Sequence, residues 1–171
     1  MSTNDPIMTP HLPQPNEITE REKDDAMGAY LMMFASLALG LPIPLLNLIA
    51  SVIYFLVNKK TSAFVAFHAL QALLFHVPIV LVNAGLVAWI ITNFATHAPS
   101  WAWFLWYLLF TVLVNLAFIV WSIVALINAN KGRFFYLPVV GRISFARYYG
   151  PNAARRPRRA RVWENKPPEG F

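Results

Sequence analysis

Residues 63–95 read AFVAFHALQALLFHVPIVLVNAGLVAWIITNFA, and residues 101–127 read WAWFLWYLLFTVLVNLAFIVWSIVALI. Neither stretch contains Asp, Glu, Lys or Arg, and each exceeds the ~20 apolar residues that a helix needs to cross a ~30 Å hydrocarbon core. Thr61-Ser62 caps the first, whose excess length predicts tilt or a kink at Pro78. Pro99-Ser100 opens the second, and Asn128-Ala129-Asn130-Lys131-Gly132 is a strong stop. The composition of the 171-residue chain agrees: 57% is apolar and only 13% charged, against about 25% charged in a soluble domain. A soluble fold would need charge along each helix's outer face.

A further apolar stretch precedes these two, from Met27 to Val57, interrupted by Gly40-Leu41-Pro42-Ile43-Pro44. The prolines remove backbone donors and push the residues before them out of helical geometry. Each half spans roughly 20 Å, so the stretch is either a short hairpin or one kinked crossing. The predicted fold is an all-α integral membrane bundle of four apolar helices, near 20–39, 44–57, 63–95 and 101–129. Around this domain, 19–130, lie an acidic, Pro-bearing tail expected to be disordered (1–18), an interfacial cytoplasmic segment (131–149) and a basic mobile tail (150–171). Thr19-Glu20-Arg21-Glu22 fits a capping box for the first helix. The polar start is not a signal peptide, so insertion falls to the internal segments.

Lys59, Lys60, Lys131, Arg133, Arg142 and Arg147 flank the apolar stretches, while the 96–100 loop has neither Lys nor Arg. The positive-inside rule places the basic flanks and the C-terminus in the cytoplasm of a multi-pass inner-membrane protein. Trp101, Trp103, Trp106 and Tyr107 then form an outer aromatic belt. The two readings of the Met27–Val57 stretch put the N-terminus on opposite sides.

No Asp or Glu occurs between Asp25 and Glu164, and the chain has no Cys. Carboxylate metal sites, intramembrane aspartyl proteolysis and thiol chemistry are therefore excluded from the apolar domain, and no catalytic, cofactor or metal residues are assigned. His68, Gln71, His76 and Asn83 fall within about 140° of arc on one helix, and Thr111, Asn115 and Ser122 within about 40° on the next. Two polar stripes in an apolar bundle face each other or a cavity. Their ordinary use is interhelical hydrogen bonding; a polar groove is the alternative. Arg155, Arg156, Arg158, Arg159 and Arg161 suit anionic lipid headgroups, with an acidic partner or ribosome contact as alternatives; other nucleic acid is not expected.

Three segments carry a resemblance. Ser62–Leu73 (SAFVAFHALQAL), the Leu41–Asn47 proline segment with Asn58-Lys59-Lys60, and Asn128–Gly132 with Tyr136-Leu137-Pro138 resemble a group of small bacterial membrane proteins of unassigned function. That group is related to the four-helix subunit of the chloroplast inner-envelope protein import translocon. The resemblance, over roughly residues 27–140, implies four helices, cytoplasmic termini and a role beside protein translocation or complex assembly. It supplies no catalytic residues.

His68 and Gln71 sit one turn into their helix, where they can latch onto the Asn58–Ser62 loop or the free carbonyls around Asn128 and Asn130. Unchanged thermal stability in a His68→Ala, Gln71→Ala double variant would refute the latch. The sequence thus favours a non-enzymatic membrane subunit, a scaffold or an assembly or translocation helper, contacting lipids, other membrane proteins or itself. The alternative is a small transporter or channel using the polar stripes.

Overall fold

A computed structural model describes residues 12–34, 44–96, 101–150 and 165–170. Within them the chain forms five α-helices and no strand: α1 (Glu20–Leu31), extended by a 3₁₀ turn (Met32–Phe34), α2 (Pro44–Asn58), α3 (Ala63–Thr96), α4 (Trp101–Asn130) and α5 (Val140–Tyr149).

The expectation of four apolar helices is corrected. Among the described residues, only α3 and α4 are long and apolar enough to cross a membrane; α2 is a shorter apolar helix. With 15 residues, α2 reaches only about 22 Å. The first half of α1 is charged, from Glu20 to Asp25. Its described helix runs to Leu31 and the 3₁₀ turn to Phe34; residues 35–43, with the expected helix end near residue 39 and most of the proline segment, lie outside the described part. α1 and α2 nevertheless touch: the Tyr54 hydroxyl, near the end of α2, donates to the Asp25 carbonyl, midway along α1, at 2.6 Å. Gly28 makes this approach possible, since a Cβ there would lie 2.5 Å from the Tyr54 oxygen.

The predicted capping box is present. The Glu22 N–H donates to the Thr19 hydroxyl oxygen, and the Glu22 carboxylate accepts from the Thr19 N–H at 2.9 Å. Partial burial pushes the Glu22 carboxyl up, but hydrogen bonds from Thr19 and Ser62 outweigh it and leave it below its usual value. A depressed carboxylate stabilises the fold above its unfolded pKa, and that contribution vanishes as pH falls through the folded value. Melting curves in detergent should therefore show a smaller acid loss for Glu22→Gln than for the parent. At the other end of the bundle's basic side, α4 terminates as the sequence predicts. Gly132 adopts φ +69°, while the Arg133 and Gly132 N–H groups close onto the Asn128 and Ala129 carbonyls at 2.9 Å each, a Schellman ending.

Burial is concentrated at one end. Tyr30, Met33, Phe64, Phe67, His68, Gln71, Leu137 and Phe145 are fully buried around the first turns of α3. From Leu81 to Ala95, α3 has no buried residue, and α4 exposes large apolar side chains such as Leu105, Leu113, Leu116 and Val120. Such exposure in water is unfavourable over so large a contiguous patch. It suits lipid. α3 continues through Pro78, whose side is exposed.

The described parts of both terminal segments pack onto the bundle. Residues 12–18 are ordered, with Leu12 and Ile18 buried, and Asn165 is docked against them. The Asn165 amide donates to the Pro13 carbonyl (2.8 Å) and the Gly132 carbonyl (3.0 Å), and its Oδ1 accepts from the Phe134 N–H (3.1 Å). Its backbone N–H donates to Gln14 Oε1 at 3.0 Å, and the Tyr136 hydroxyl donates to the Lys166 carbonyl at 2.6 Å. Here polar groups satisfy one another's buried bonds. Residues 131–149 contain α5, which packs Gly141, Ser144, Phe145 and Tyr149 inward. The arginines from Arg155 to Arg161 lie outside the described residues.

Candidate functional site

The first turns of α3 place His68 and Gln71 on the face that meets α1 and the 134–137 segment. Gln71 sits at the centre. Its Nε2 donates to the Tyr30 oxygen and to the Phe135 carbonyl, each at 2.8 Å, and its Oε1 accepts the Leu137 N–H at 3.3 Å. Tyr30 Oη and His68 Nδ1 are 2.9 Å apart. Because Tyr30 accepts from Gln71, its own hydrogen goes to Nδ1, which assigns the neutral imidazole a hydrogen on Nε2. That nitrogen is buried without a hydrogen-bond partner, ringed by Phe64 (4.5 Å between centroids), Phe67 (4.9 Å) and Phe134 (5.8 Å).

His68 and Gln71 therefore bond Tyr30 and the backbone of 135–137, rather than the Asn58–Ser62 loop or the carbonyls around Asn128–Asn130. Asn128 donates to the Val124 carbonyl of its own helix, and Asn130 is exposed. Sequence reading missed Tyr30. Its signal was a phenol in a charge-free run, since a buried hydroxyl needs a partner. Asn165 left no comparable signal.

Deeper along the helix pair the two polar stripes meet at Asn83 and Asn115. Asn83 and Asn115 exchange amide bonds at 3.2 and 3.0 Å, and each spends its other N–H on its own helix, at the carbonyls of Ile79 and Thr111. All four amide hydrogens are used, so the pair has no donor left for a passing solute. Toward the far end, the Tyr107 hydroxyl donates to the Val82 carbonyl at 3.0 Å over Gly85. Ser122 Oγ lies 3.9 Å from Met33 Sδ, Thr111 is buried, and His76 packs against Phe118 at 5.5 Å. A double-mutant cycle with Asn83→Ala and Asn115→Ala should give a coupling of about 0.6–2 kcal/mol by unfolding in detergent, the range of interhelical polar pairs. Strict additivity would deny the pair.

No group of three or more potential metal-ligating side chains occurs among the described residues. The model of a family described as magnetosome magnetite crystal formation proteins, MamF/MmsF, matches residues 23–144. The match includes the latch, both long helices and the start of α5. No curated protein and no solved structure matches the chain. The comparisons give no support to the relation with the import translocon.

Proposed function

Because the chain belongs to the MamF/MmsF magnetosome magnetite crystal formation family, we propose that it is a non-enzymatic, multi-pass protein of the membrane around the forming crystal. There it organises a protein assembly rather than touching the mineral. α3 and α4 cross the bilayer, and α1 and α2 enter it as a short hairpin from the same side as the buried cap. The basic flanks Lys59, Lys60, Lys131 and Arg133 put that cap in the cytoplasm. The 96–100 loop then faces the crystal.

One observation carries the reading: the chain has no carboxylate between Asp25 and Glu164. In this orientation the crystal side has no acid with which to hold iron, which hard oxygen ligands favour. The closed Asn83–Asn115 pair likewise favours a structural helix pair over a transport path. The fixed, capped end is left as the surface for partners.

Two measurements test this. In cells lacking the chain, a copy with residues 96–100, His97 included, replaced by a Gly/Ser loop of equal length should restore normal crystals; failure to do so would place mineral contact in this protein. Purification in mild detergent should retain stoichiometric membrane partners. A clean monomer would count against the scaffold.

A further inference from the structure

The segment after α4 does not leave the bundle. Phe135 packs its ring against Trp121 at 6.0 Å between centroids, and Trp121 lies nine residues before Asn130, roughly 13 Å back along α4 at 1.5 Å per residue. On the same helix, nearer the end, Val124 and Ile127 still present exposed apolar side chains, 37% and 44% accessible. The chain has therefore folded back to the level of the apolar belt before α5 begins. The Gln71 bonds to Phe135 and Leu137 hold it there.

At that level comes an unusual turn. The Val140 N–H donates to the Pro138 carbonyl at 2.7 Å, closing a γ-turn on Val139 with φ 62° and ψ −59°. This is the rare, strained form of that turn, and a β-branched residue is poorly suited to it. Val139 is nonetheless 74% exposed, and one turn on Ile143 is 51% exposed. On the helical wheel Ile143 lies between Arg142 and Arg147, both exposed, opposite the buried Ser144, Phe145 and Tyr149. Neither arginine pairs with a carboxylate among the described residues, although Arg147 sits 6.0 Å over the Tyr148 ring. Apolar tips with flanking arginines, continuous with a lipid-facing belt, match an acyl–headgroup boundary.

We infer that the Val139 turn and the outer face of α5 form a wedge in the anionic leaflet on the capped side. Val139 and Ile143 enter the acyl boundary, and Arg142 and Arg147 contact lipid phosphates. The inference rests on the membrane reading above, and its test separates the two. The chain has no Cys, so single spin labels at Leu113→Cys, Ile143→Cys and Lys59→Cys can be compared in the full chain. The host is a nanodisc of phosphatidylcholine with or without phosphatidylglycerol. The label at 143 should be accessible to oxygen and shielded from a water-soluble nickel chelate, like that at 113 and unlike that at 59. Phosphatidylglycerol should deepen it, and Arg142→Gln with Arg147→Gln should abolish the deepening.

If the label at 143 meets the chelate as freely as that at 59 while 113 stays shielded, the wedge is overturned and the membrane reading stands. If 113 is also open to the chelate, both fall. An unchanged response to phosphatidylglycerol in the double variant would overturn the phosphate contact.

Discussion

Replacing Gln71 with Leu should lower the stability of the detergent-solubilised protein by about 3–6 kcal/mol, the largest loss expected from a single substitution at its capped end. Leu fills most of the space but bonds nothing. The Phe135 carbonyl, the Leu137 N–H and the acceptor side of Tyr30 lose their partner together, and each buried group left unsatisfied costs about 1–3 kcal/mol. Tyr30→Phe should cost less, about 1–3 kcal/mol, because it removes one hydroxyl and leaves Gln71 on the backbone. Thermal unfolding should rank Gln71→Leu well below Tyr30→Phe, with the parent above both. Equal melting of all three would mean that the network does not hold the cap together. Losses of this size are a large share of the 5–15 kcal/mol that holds a domain folded, so lower protein levels in cells should follow.

The same network shows what could be read from residues alone. The two long helices, their ends and the capping box rest on local rules of length, apolar runs and turn chemistry, and the structure places them within a residue or two of expectation. Number was read less well. The Met27–Val57 stretch looks like two apolar helices by composition, yet the charged first turns of α1 and the short reach of α2 make them a pair leaning on α3 and α4 rather than independent spans. Of the polar stripes, Asn83 and Asn115 bond to each other across α3 and α4, because buried amides must find partners. Their particular partners were not legible. Gln71 is satisfied by backbone 64 and 66 residues away, and Asn165 by backbone 152 residues away. Such pairings depend on where the chain returns, which no local pattern encodes.

Asn165→Ala should release the C-terminal segment from the cap and unfasten residues 12–18 with it. The substitution removes the amide that joins three stretches of chain, leaving the Pro13 and Gly132 carbonyls and the Phe134 N–H without their partner at a site where Asn165 is 3% exposed. At about 1–3 kcal/mol per group, with some relief where water can enter, the local cost is about 2–4 kcal/mol. It falls on a peripheral unit, so opening should be local rather than global. Hydrogen exchange on the full chain in nanodiscs should show the Phe134 amide, together with the Gln14–Ile18 segment, losing protection by about 30-fold or more, since 1.4 kcal/mol is a factor of ten. The amides of α3 and α4 should be unchanged. The contrast with Gln71 is informative, because that substitution acts on the tie between α3 and the 135–137 backbone and should loosen the cap as a whole. If Asn165→Ala instead exchanges like the parent at Phe134, the side-chain clasp contributes no stability, and residues 12–18 are held by other contacts, such as the burial of Leu12 and Ile18.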